Sequence, residues 1–101
     1  MMTVYKITSE VWIYPGMQGN WHFVSVPKKM SEKITKGREG MKRKGWGSVP
    51  VTVRLGSSVW KTSIFPDKRE GVFILPLKAD VRKKESVFAK DRISLTLTVE
   101  T

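Results

Sequence analysis

The chain of 101 residues contains no cysteine and one histidine, His22. Without cysteine there is no disulfide framework, no thiol nucleophile and no thiolate metal site. One histidine leaves no pair for zinc, so neither a metal nor a cofactor is expected. A serine triad would have to use His22, which strand alternation places beside Val24 and Val26, a packing position or a surface one. Acids are also scarce: the nine Asp and Glu stand singly, so no carboxylate pair suggests glycosidase chemistry. The longest near-continuous apolar run, residues 72–77, falls far short of the roughly 20 residues a membrane span needs. Residues 1–10 carry no basic flank followed by an apolar stretch, so no signal peptide is read. These absences leave one small domain, a binding module more than an enzyme, with no membrane segment. The lack of cysteine fits a cytoplasmic address.

What is abundant is positive charge. Nineteen Lys and Arg give a formal net charge of +10 and a calculated pI near 10.2. Residues 28–44 hold eight of these bases (Lys28, Lys29, Lys33, Lys36, Arg38, Lys42, Arg43, Lys44) against Glu32 and Glu39. Such a field attracts polyanions at low salt and also keeps a small β-rich domain soluble.

Period-two alternation marks half-buried strands along most of the chain. Tyr5, Ile7, Ser9, Val11 and Ile13 share one face of a first strand, which Pro15-Gly16 ends. Residues 21–26 form a second strand, stopped at Pro27. Val49, Val51, Val53 and Leu55 alternate with polar partners in a third. Pro50 donates no ladder hydrogen bond, which places that strand at a sheet edge open to pairing. Gly56-Ser57 signals a hairpin into residues 58–65, residues 71–77 read as a central strand, and residues 93–99 as the last. Ser31 is positioned to cap a helix of about two turns carrying Met30, Ile34 and Met41, with Gly37 and Gly40 weakening its end before a mobile basic loop. A second helix follows Pro76, with Leu77 and Val81 four apart and Asp80 in its first turn. Six strands and two short helices predict a mainly β fold, a small barrel with helical plugs. Its expected core is Ile7, Val11, Phe23, Val51, Val53, Ile64, Phe73, Leu75, Leu95 and Leu97, with the four tryptophans in the core or at the barrel rim.

Two constellations offer binding chemistry. In the first, Trp46 stands between Gly45 and Gly47 beside Lys42, Arg43 and Lys44, where a ring can stack on an unpaired base while the cations meet phosphates. The Gly40 to Gly45 spacing is not a phosphate loop, because Trp46 occupies the place of the required lysine. The alternative is that Trp46 packs over a barrel end and the cations stay solvated. In the second, Lys78 and Arg82 sit four apart at the positive end of the second helix, where each is disfavoured, so a compensating negative group is expected. It is either an internal carboxylate, Asp67 being the best placed, or a bound phosphate, sulfate or carboxylate with Lys61 and Ser63 nearby. Expected partners are therefore nucleic acid or another polyanion, a small anion, or a protein partner or second copy paired through an edge strand.

Four strings are specific as they stand: Trp21-His22-Phe23-Val24 running to Pro27, Gly45-Trp46-Gly47-Ser48-Val49-Pro50-Val51, Trp60-Lys61-Thr62-Ser63-Ile64-Phe65-Pro66-Asp67-Lys68, and Leu75-Pro76-Leu77-Lys78-Ala79-Asp80-Val81-Arg82-Lys83. In order and spacing the chain resembles the prokaryotic family catalogued as domain of unknown function 1905, over residues 5–99. The resemblance implies a double-split β-pseudobarrel capped by helices, related in architecture to AbrB- and MazE-type DNA-binding proteins. It also implies an occasional fusion to a helical segment of the kind found in YdeI and OmpD-associated proteins. It carries no biochemical activity. Where the family usually turns with Gly-Asp before its last strand, this chain has Lys90-Asp91, and a residue that tolerates positive φ is missing.

Overall fold

A computed structural model describes residues 1–14, 21–41 and 47–100. Seven antiparallel strands and two helices follow in the order β1 (Met2–Glu10), β2 (Trp12–Ile13), β3 (His22–Ser25), α1 (Lys28–Gly37), β4 (Val49–Leu55), β5 (Ser58–Asp67), β6 (Val72–Leu77), α2 (Ala79–Glu85) and β7 (Arg92–Glu100). The fold is mainly β, with seven strands instead of the six expected. The extra strand comes from residues 5–13, whose alternation runs unbroken through Val11 while their pairing does not. Residues before Val11 pair with β7, and Trp12 and Ile13 pair with β3.

That break at Val11 shapes the molecule. The strand order is β1-β7-β4-β5-β6-β3-β2, so β1 and β2 are opposite edges of one sheet, joined by a single residue. Only a strongly curled sheet, a half-barrel whose edges meet at one corner, satisfies that connection. Val11 is fully buried there, its N–H donating to the Asp91 carbonyl at 2.8 Å and its carbonyl accepting from the Lys90 N–H at 2.7 Å.

Inside the curl, the alternating residues of neighbouring strands line up in rows. Tyr5, Leu97, Val53 and Trp60 form one row across four strands, and Thr3, Val99, Val51 and Thr62 the next. All ten residues expected in the core are buried. Phe23 is buried apart from the main core, in an aromatic layer with Trp12, its ring 5.1 Å away, and Trp21.

Strand β4 lies between β7 and β5 and is not an edge. Pro50 is tolerated because β4 pairs with β7 only from Val51 to Arg54, so its missing N–H falls where that ladder has ended. The edges are β1 and β2 instead.

Helix α1 begins four residues earlier than the capping argument places it. Pro27 is its N-cap, and Ser31 sits inside, buried, with its hydroxyl tying the helix to two strands. Ile34 is buried and Met30 partly so, but Met41 lies beyond the helix, which ends at Gly37. Any loop formed by residues 42–46 falls outside the described residues.

Helix α2 buries Val81 against the sheet. Its Glu85 carboxylate accepts from the Ser58 hydroxyl at 2.6 Å and from Ser57, fastening the helix to the β4–β5 turn. Those hydroxyls, Ser58 first, hold Glu85 below the ordinary carboxylate range. Gly56 supplies the turn's positive φ of 59°, and a side chain there would run into Glu85.

Lys90 adopts the left-handed conformation itself, with φ at 75°. An L residue pays roughly 1 kcal/mol or more for it. Lys90→Gly is therefore expected to stabilise the fold by about 0.5–1 kcal/mol, after allowance for glycine's freer unfolded chain. A thermal melt followed by tryptophan fluorescence checks it. An unchanged or lowered midpoint would mean the turn carries no strain.

Candidate functional site

Strands β5 and β6 pair only through Phe65–Asp67 and Val72–Ile74. Beyond that, β5 turns to β4 and β6 turns to β3, and a fork opens between them. Its cause is legible in the chain. Phe73 directs its N–H to Ser31 and its carbonyl to Val26, on the β3 side. By strand alternation Pro76 then faces β5, opposite Ser63 in the established register, with no N–H to give. The ladder stops, and the backbone groups of Lys61, turned away from β4 by the same alternation, face the fork beyond its end.

The fork holds a cleft of about 400 Å³. From β5 come Trp60, Lys61 and Thr62; from β6 and the turn after it, Pro76, Leu77 and Lys78. Ala79 and Arg82 of α2 close one side, and Trp21 and His22 the other. Three cations thus converge, and no carboxylate is among the described lining residues. Arg82 is partly buried and anchored by its Nε, which donates to the Leu77 carbonyl at 3.0 Å. Lys61 and Lys78 are exposed. Among the described residues the salt bridge is that of Arg69 with Asp67, so none of the three cations has an acidic partner. Trp60 is nearly buried and forms a wall, whereas Trp21 is 49% exposed and offers a ring to the opening.

Of the expected anion site, Lys61, Lys78 and Arg82 line this one cleft, while Ser63 lies outside its lining. The expected internal carboxylate is not there. Asp67 pairs with Arg69 at 3.3 Å, and that hydrogen-bonded guanidinium holds its carboxyl below the ordinary range. The helix argument needs correction too. With seven residues in α2, Arg82 belongs to its last turn and Lys78 is its N-cap, so the macrodipole disfavours Lys78 alone. Lys42, Arg43, Lys44 and Trp46, the second constellation, lie outside the described residues. Sequence reasoning missed Trp21, Trp60 and His22 as cleft residues. The signal that points to them is Pro76, which breaks a ladder in an otherwise apolar strand.

A second cavity, about 410 Å³, lies between α1 and the β5–β6 turn. It sets three acids, Glu32, Glu39 and Asp67, against two bases, Lys36 and Lys68, so it offers no excess of positive charge. Among the described residues no group of three or more His, Asp or Glu is placed to hold a metal ion. No helix there is long and apolar enough to cross a membrane.

Curled antiparallel sheet, forked strand pair and cation-lined cleft define a small β-barrel-like domain of basic character. The chain belongs to the family described as domain of unknown function (DUF1905), which matches residues 8–97. No curated protein matches it.

Proposed function

We propose that this protein is a non-enzymatic binding module for a phosphate-bearing polyanion, nucleic acid in the first instance, with the β5–β6 fork as its point of contact. The observation that carries this reading is the convergence of Lys61, Lys78 and Arg82 on one cleft with no carboxylate among its described lining residues. A net charge of +10 supplies the longer-range attraction. On α1, Lys29, Lys33 and Lys36 lie within one outward arc opposite buried Ile34, adding cations in a stripe. The segment with Lys42, Arg43, Lys44 and Trp46 extends the same reading on sequence grounds. The fork also fits one split of the double-split pseudobarrel that the family resemblance implies.

Anisotropy titration of a labelled single-stranded oligonucleotide at two salt concentrations is the test. Three phosphate contacts at the fork predict that log K falls with log salt at a slope of about −2 or steeper. Lys78→Ala combined with Arg82→Ala is expected to weaken binding and flatten that slope by about one unit or more. Absence of binding at low salt, or binding indifferent to both substitutions, removes the proposal.

A further inference from the structure

We propose that the fork receives a single unstacked nucleotide unit, its base on Trp21 and its phosphate at Lys78, Arg82 and Lys61. This rests on the reading of the fork as a phosphate site and specifies what enters it. A bare anion would satisfy the cations but leave the half-exposed Trp21 indole and Pro76 uncovered, so the cleft is built for a ring as well as a charge. Its volume of about 400 Å³ lies in the range of sites for small ligands.

Trp21 is made to be stacked upon. Its ring lies 6.2 Å from Phe23 at an interplanar angle of 21°, and Phe23 is in turn 5.1 Å from Trp12. One face is thus braced by the buried Phe23 ring while half of the residue remains open. A ring held this way loses little freedom when a base covers it. The backbone of Lys61, which lines the cleft beyond the end of the β5–β6 ladder, supplies a donor and an acceptor along one wall. An apolar ring has no use for these groups, whereas a nucleobase edge satisfies them. Three cations exceed what one carboxylate needs, and a terminal phosphate carries about 1.5–2 negative charges. A duplex presents only its phosphates to a gap between two strands, because its bases are paired and stacked. The fork therefore prefers single-stranded or terminal nucleotides.

Calorimetric titration of the whole chain with adenosine monophosphate, adenosine, ribose 5-phosphate and inorganic phosphate separates the contributions. Adenosine monophosphate is expected to bind at least ~10-fold more tightly than ribose 5-phosphate or inorganic phosphate, the difference being the stacked base. Trp21→Ala should remove that advantage and leave ribose 5-phosphate unchanged, while Trp21→Phe keeps most of it. Lys78→Ala with Arg82→Ala should weaken both phosphorylated probes and spare adenosine. Far-UV circular dichroism confirms that each variant is folded. If the mononucleotide binds no better than inorganic phosphate, or Trp21→Ala leaves its affinity intact, the inference is overturned even where an oligonucleotide still binds through the fork cations. If the oligonucleotide and every phosphorylated probe fail to bind, the underlying phosphate reading falls with it.

Discussion

Leu97→Ala is expected to destabilise the protein by about 3–5 kcal/mol, the upper part of the range for a leucine truncated in a closed core. Leu97 is fully buried in the middle of β7, with Tyr5 beside it on β1 and Val53 on β4. All three strands are held by ladder hydrogen bonds, so the sheet has little freedom to collapse into the space left behind. For a domain of this size such a loss lowers the melting temperature by roughly 10–25 °C and consumes much of its total stability. Thr96→Ala, one residue away on the opposite face, is the control and should cost less than about 1 kcal/mol. A fluorescence melt in which the two variants behave alike would show that the buried face has been misassigned.

Ser31→Ala is the second large effect, about 1–3 kcal/mol for the loss of one oxygen atom. The Ser31 hydroxyl donates to the Val26 carbonyl at 3.0 Å and accepts from the Phe73 N–H at 3.1 Å. It thus joins α1 to the end of β3 and to β6, beside the backbone bond from the Val26 N–H to the Phe73 carbonyl. Alanine would leave the Phe73 N–H buried without an acceptor, and an unmade buried hydrogen bond costs more than a made one contributes. Hydrogen exchange gives the specific readout. The Phe73 amide should lose protection beyond what the global change in stability explains, while Leu97 should follow the global change. Equal acceleration at both positions would reduce Ser31 to a residue of generic packing.

The two predictions differ in how visible they are in the chain. Leu97 declares itself through alternation, because Ile93, Leu95, Leu97 and Val99 on one face and Ser94, Thr96 and Thr98 on the other admit one assignment of inside and outside. Ser31 does not. A serine just ahead of an apolar helical stripe has the local signature of a cap, and only the approach of β6, 42 residues later, turns it into a bridge. Pro50 shows the same limit. Its missing donor suggests an edge, yet the end of one ladder satisfies it equally well within the sheet.

The candidate site divides along the same line. Lys61, Lys78 and Arg82 stand out as cations in the chain, since charge needs no fold to be seen. That they line one cleft depends on β5 leaving β6 at Pro76, a long-range event. Trp21 and Trp60 read as rim or core residues because alternation assigns a face and not a neighbour. The partner of Asp67 is decided by the tight turn after β5, which brings Arg69 to it and leaves Arg82 unpaired.

By itself the sequence determined the β character of this protein, the ten core residues that alternation singles out, its two helices and its basic charge. Each of these follows from local periodicity or from composition, which act within a few residues. Tertiary structure alone decided that the first predicted strand divides at Val11, that β4 lies inside the sheet, and that three cations and two indoles meet at one fork. Those outcomes depend on which strands pair and where a ladder ends. Pairing is settled by the closure of the whole curled sheet, because β1 and β2, joined through the single residue Val11, must reach its opposite edges.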